Sequence, residues 1–274
     1  MTDEEAISEF RGLIGAGPLA IALLVAAVAR GPLAAGEAAD IVRRHLDRFK
    51  TLTSLTLRVE RQVTRRGKTT TERWTLYQKG PARFRLDFEF PVRRLITINE
   101  RELWEYVPRA KRAARTDLSG LSPDERAELL RQVLKRVAVP GLRLNAGGPQ
   151  AELIDRGTAT VQGRPVHRIE CRGREGNGRS ARGAIDAERL VLLRCEFLDE
   201  DGHVVATTEA DRVFEAAPGF WFPRRVAYKG LGGRGLTQTA TFKRVAVNAA
   251  LEDALFEFAV PDGVEVVEMN PGKP

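Results

Sequence analysis

Few residues in this chain combine a reactive type with a useful spacing. It holds 2 Cys and 3 His. His45, His167 and His203 are scattered and give no close metal-ligand spacing, and two cysteines are too few for a Cys-rich zinc framework. A nucleophile needs a base and an orienting group within reach. The chain contains no G-x-S-x-G, no H-E-x-x-H and no C-x-x-C. Acidic residues are numerous enough to leave a two-carboxylate pair open, but most sit on the polar parity of strand-like runs or in turns. An enzyme would need them clustered as an acid–base constellation. The glycine-rich runs at 173–180 and 230–235 link strands rather than open a helix, so neither builds a dinucleotide fingerprint or a phosphate cradle. The reading is a protein that is not an enzyme, with no catalytic, cofactor or metal residue. Cys171 and Cys195 are the one special pair. Cys171 shares strand parity with His167 and Ile169, and Cys195 with Val191, Leu193 and Phe197. Both are expected to point inward from neighbouring strands, as one disulfide in an oxidising compartment or as two separately buried thiols.

The elements that must position these residues follow from composition and periodicity. The chain has 274 residues, 43% hydrophobic and 30% charged. That excludes disorder over most of its length and allows a sizeable core. A net charge of +7 excludes an acidic, solvating protein. It permits contact with anionic membranes or nucleic acid. The arginines are dispersed, with no basic helical stripe and no nucleic-acid module, so no nucleic-acid partner is expected.

Residues 12–29 carry no charge, and the small residues Ala34 and Gly36 suit the −3 and −1 positions of a cleavage site. Residues 1–36 therefore read as a signal peptide or, alternatively, as an N-terminal membrane anchor; a buried core helix is the third reading. Either of the first two exports the rest, residues 37–274, which reads as a single domain. The mature chain is expected to start near Gly36 or Glu37.

Residues 38–50 have helical periodicity, with Ile41, Val42, His45, Leu46 and Phe49 on one face. Asp40 is the expected N-cap, and His45 is expected to be a packed edge residue. The period then changes to two. Phe84, Leu86, Phe88 and Phe90 alternate with Arg83, Arg85, Asp87 and Glu89, the signature of a half-buried strand. Similar runs at 55–59, 69–79, 95–98, 102–107 and 109–116 are joined by short polar turns, an antiparallel meander. Ser122-Pro123-Asp124-Glu125 is a capping box with proline at the first helical position. Leu130, Val133, Leu134 and Val137 follow at helical spacing, Pro140-Gly141 stops the helix, and 141–150 reads as a loop. Further strands are expected near 151–158, 165–172, 182–188, 190–198, 203–214, 221–229, 236–247 and 264–268. About ten strands and two amphipathic helices make a mainly β fold, either a sandwich or a single antiparallel sheet curled into a half-barrel with helices on its concave side.

Several stretches resemble a known family. LYQKGPARFRLDF, which ends the run 51–88, is similar to the strand–K-x-P–strand hairpin of the LolA-like outer-membrane lipoprotein-sorting proteins. LITINERELWEYVPRAKRAARTDL (95–118), GFWFPRRVAYK (219–229) and LEDALFEFAVPDGVEVVEM (251–269) resemble the stretches that follow in that family. The resemblance covers most of 38–269. It implies an antiparallel half-barrel with a helical lid over an apolar cavity. It also implies a monomeric periplasmic carrier that shields the acyl chains of lipoproteins or other lipids on the way to the outer membrane, between membrane donor and acceptor proteins. An envelope sensor using the same half-barrel to bind a lipid or protein partner is the alternative. The expected cavity wall is Leu57, Val59, Trp74, Leu76, Phe84, Leu86, Phe88, Phe90, Ile96 and Ile98, with a dry core as the rival reading. Arg93 and Arg94 are placed to meet head groups or solvent.

Overall fold

The computed structural model describes residues 36–135, 137, 152–172, 180–231 and 235–269. The expectations for residues 12–29, for Ala34, for Pro140-Gly141 and the 141–150 loop, and for most of 173–180 lie outside these. The first helix, α1, spans Glu37–Lys50 and buries Ala38, Ala39, Ile41, Val42, His45 and Phe49. Its N-cap is Gly36 rather than Asp40. The helix starts earlier because Ala38 and Ala39 already belong to its buried face. Asp40 closes the first turn, its N–H donating to Gly36 O at 3.1 Å. Its carboxylate is still favourable there, near the positive end of the helix dipole.

Among the described residues fourteen strands follow, more than the round total of about ten but one for each run of period two named above. They are β1 (Ser54–Arg65), β2 (Lys68–Lys79), β3 (Arg83–Phe90), β4 (Arg94–Ile98), β5 (Glu102–Val107), β6 (Arg112–Asp117), β7 (Glu152–Val161), β8 (Arg164–Arg172), β9 (Ser180–Asp186), β10 (Leu192–Leu198), β11 (Val204–Ala217), β12 (Phe220–Gly230), β13 (Thr237–Val247) and β14 (Glu265–Met269). One open curved sheet takes them in the order β14-β6-β5-β4-β3-β2-β1-β13-β12-β11-β10-β9-β8-β7. The chain thus runs as two meanders, zipped together where β1 pairs with β13. Tight turns keep the strands consecutive. Arg66 and Gly67, both at positive φ (51° and 77°), make the two-residue β1–β2 hairpin, whose twist such residues match. The sheet is antiparallel except at one edge, where β14 pairs parallel to β6. That pairing departs from the all-antiparallel expectation; β14 follows β13, which lies mid-sheet beside β1, so no hairpin joins it to β6 or dictates its direction.

The second helix, α2, spans Pro123–Lys135. The capping box forms: Ser122 N–H donates to Glu125 Oε2 at 2.8 Å, and Glu125 N–H to Ser122 Oγ at 3.3 Å. Arg126 clasps the entry to the helix by donating to the carbonyls of Leu121, Glu100 and Ser119 at 3.1, 3.1 and 3.3 Å. Leu130, Val133 and Leu134 join a core cluster built on β1–β4 and the facing side of β11–β13. A second cluster packs Ala38, Ile41 and Val42 of α1 against β8–β10. The two helices therefore cover different stretches of the sheet, with Phe49 at the end of α1 joining the α2 cluster. No helix among the described residues is long and apolar enough to cross a membrane.

Candidate functional site

The register of β1–β4 brings the expected wall residues together. Leu57 faces Leu76, Leu76 faces Leu86, and Leu86 faces Ile96. A parallel row runs Val59–Trp74–Phe88–Arg94, and Phe84 faces Ile98. Directly opposed residues share a face of the sheet, so one strand parity produces one continuous apolar surface. Leu57, Leu76 and Leu86 are wholly buried, and Val59, Trp74, Phe84, Ile96 and Ile98 nearly so. Their cover is α2 together with Phe220, Phe222 and Phe242, the last two meeting edge to face at 4.9 Å.

Phe90 leaves the wall. Trp74 opposes Phe88 but Arg73 opposes Phe90, so Glu89 is an extra residue and the alternation flips after it. Phe90 is 42% exposed on the other face, with the Arg73 guanidinium 5.3 Å from its ring. Phe88 is half-buried at the rim, under the Arg94 guanidinium at 4.2 Å. Arg93 is exposed, whereas Arg94 turns inward and pairs with Glu105 at 3.2 Å. The apolar wall thus ends in a largely buried ion pair, whose Arg94 shares strand parity with Ile96 and Ile98 and whose Glu105 opposes Ile96. The indole Nε1 of Trp74 is buried in the wall without a hydrogen-bond partner among the described residues.

Cys171 and Cys195 both point into the α1 cluster, as their parity predicts, and both are free thiols. The disulfide expectation gives way to the alternative for a topological reason. Cys171 opposes Ala181 and Cys195 opposes Gly183, so β9 lies between them. Two strand spacings put the Cα atoms roughly 10 Å apart, beyond the roughly 7 Å a disulfide spans. Burial, aided by Glu170, pushes the Cys171 thiol up to about 12, and burial with Cys171 nearby does the same for Cys195. Both should resist iodoacetamide in the native protein at neutral pH and react fully in guanidinium chloride. Mass spectrometry before and after denaturation checks this; a linked pair in the unreduced, denatured protein would contradict it.

His45 is wholly buried, its Nδ1–H donating to Leu190 O at 2.7 Å, and serves packing. Two buried carboxylates escaped the sequence reading because they occupy polar strand parity. Asp186 is wholly buried, accepting from Arg164 and from the N–H groups of Glu188 and Arg189 at 3.0 and 2.9 Å. Glu170 is 2% exposed and accepts from three arginines. Asp199, Asp201 and His203 lie together in the β10–β11 turn, where Asp199 Oδ1 accepts from the N–H groups of Asp201 and His203 and so organises the turn.

No sequence-family model matches the chain, and no curated protein matches it. Solved structures do. A DUF1329 family protein from Desulfovibrio piger superposes with a TM-score of 0.56 at 16% identity, over 80% of this chain and 95% of its own. A domain provisionally named as an outer membrane lipoprotein-sorting protein, from Vibrio parahaemolyticus, gives 0.55 at 15% identity, over 79% and 94%. A LolA superfamily protein from Nitrosomonas europaea gives 0.53 at 15% identity, over 82% and 99%. These likenesses define the class of fold. It is LolA-like: an open, curved, mainly antiparallel sheet with helices laid on it.

Proposed function

We propose that this chain is an exported carrier that binds the acyl chains of lipids or lipoproteins against the β1–β4 wall beneath α2. It shields them in the periplasm on the way to the outer membrane, as a monomer without a cofactor, and exchanges them with donor and acceptor proteins in the membranes. The observation that carries this reading is the wall itself: a continuous apolar surface, covered by α2 and by Phe220, Phe222 and Phe242, and holding a Trp74 N–H with no hydrogen-bond partner among the described residues. An ester or carboxyl oxygen is the natural acceptor for that N–H, which otherwise costs about 1–3 kcal/mol.

The energetics allow an exchange of cover. Lifting α2 exposes Leu130, Val133 and Leu134, at about 1.5–3 kcal/mol each. An acyl chain of about fifteen methylenes regains roughly 12 kcal/mol at about 0.8 kcal/mol per methylene. The ligand therefore replaces the helix as cover with free energy to spare. Native mass spectrometry of protein purified from its own cell envelope tests the proposal, with N-terminal sequencing of the same sample. The expected result is a co-purifying acyl lipid on a chain starting near Gly36 or Glu37. Protein that is free of lipid, and that also fails to bind a fluorescent fatty acid analogue, would overturn it.

A further inference from the structure

The strands that face α1 with apolar side chains turn arginines to the opposite face. Arg168 on β8 opposes Ala184 on β9, and Ala184 opposes Arg194 on β10, so two guanidinium side chains flank one small residue. In the next row, Arg182 lies between Glu170 and Glu196. This face holds a cleft of about 850 Å³, with Ala184 in its lining. Four arginines line it, Arg156, Arg168, Arg182 and Arg194, against two carboxylates, Asp155 and Glu196.

Glu170 frames this arrangement from below. Its buried carboxylate accepts from Nε of Arg156, Arg172 and Arg182 at 3.0, 2.6 and 3.1 Å. Burial works against its charge, but Arg172, Arg182 and Arg156 outweigh burial and hold the carboxyl below its usual range. Arg182 is held by its Nε edge and remains 46% exposed. Arg194 is also 46% exposed and pairs with Glu196 at 3.1 Å. Arg168 donates to the Arg156 carbonyl at 2.6 Å and has no carboxylate partner among the described residues. The Arg168 and Arg194 backbones stand only about 10 Å apart across β9, so their like charges repel across the cleft. An oxyanion between them relieves that repulsion. Guanidinium forks fixed from behind match the geometry of a phosphate, which accepts paired N–H bonds.

We propose that this cleft binds a phosphate group, carried by the head group of an anionic phospholipid or free in solution. The site lies on the face of the sheet opposite α1 and stands whether or not the wall beneath α2 carries acyl chains. The test measures binding of the full-length chain to vesicles of phosphatidylcholine, with and without phosphatidylglycerol. Three proteins are compared: the parent, Arg168→Gln with Arg194→Gln, and Arg101→Gln with Arg109→Gln. The last pair removes the same charge from exposed positions on the other meander. Any membrane affinity of residues 12–29 is common to all three. The cleft variant should lose about 30-fold in affinity for the anionic vesicles, equivalent to about 1 kcal/mol per arginine, and the control variant much less. Glu196→Gln, which releases Arg194, should bind more tightly than the parent. Inorganic phosphate assigns the source: binding to the parent that the cleft variant loses, with competition against vesicles, means a site for the free ion, and vesicle binding without it means a head-group site. An equal loss in the control variant would overturn the proposal. So would parental vesicle and phosphate binding by a cleft variant that melts like the parent, or, should that variant fail to fold, parental binding by Glu196→Gln.

Discussion

Phe88→Glu is expected to reduce binding of a fluorescent fatty acid analogue by about 100-fold, because a carboxylate against acyl chain must be paired, protonated or hydrated. The same change should lower the melting temperature by only about 5 °C. Phe88 is half-buried at the rim of the wall, so water reaches the new carboxylate, and Arg94 lies beside it. Two residues deeper, Leu86 is wholly buried. Leu86→Glu has neither water nor a counter-ion and should not yield folded protein. A thermal melt and a probe titration on the Phe88 variant separate the alternatives. If the variant unfolds, the rim is as closed as the centre. If it melts like the parent and binds the probe at parental affinity, β3 has no part in the site.

Asp186→Asn should cost about 3 kcal/mol at neutral pH, the scale for breaking a buried ion pair. Asparagine can still accept from the N–H groups of Glu188 and Arg189, but it presents an amide where Arg164 needs an anion. Burial disfavours the native charge, yet Arg164 and the two N–H groups outweigh it and hold the carboxyl below its ordinary value of 3.8. The sign of the pH dependence follows. A depressed carboxylate stabilises fully above its unfolded-state pKa, and that stabilisation is lost as pH falls through the folded-state value. The gap between parent and variant should therefore hold steady from pH 7 to about pH 5 and close below about pH 4. Urea titrations across that range measure it; a gap unchanged in strong acid would mean that the ionised carboxylate is not its source.

Alternation of apolar and polar residues was enough to locate nearly every strand, because a sheet with one covered face imposes a period of two on its sequence. It was also enough to gather Leu57, Leu76, Leu86 and Ile96, since one residue of slip would turn all of them outward. What escaped depends on relations between distant segments. The extra residue at Glu89 is invisible in the regular Phe-x-Leu-x-Phe-x-Phe run, because only the pairing with β2 reveals it. The parallel docking of β14 has no local signature. Arg168, Arg182 and Arg194 read as separate solvated side chains until β8, β9 and β10 lie side by side. Glu170 and Asp186 are polar by parity and buried by their arginine partners, a distinction that burial patterns in a single strand cannot make. The helix start at Gly36 was missed for a local reason: a good capping residue, Asp40, stood near a helix that the buried alanines extend.

The β1–β13 seam also governs the order of folding. It joins residues 54–65 to residues 237–247, so the central pair cannot form until the ribosome has added most of two hundred further residues. At about 5–20 residues per second that interval is on the order of ten seconds or more. Hairpins within each meander close in microseconds, but the apolar face they share with the other meander stays uncovered until the seam zips. Non-local pairing of this kind is the slow step in β topologies. The nascent chain thus lacks its central strand pair through most of its synthesis.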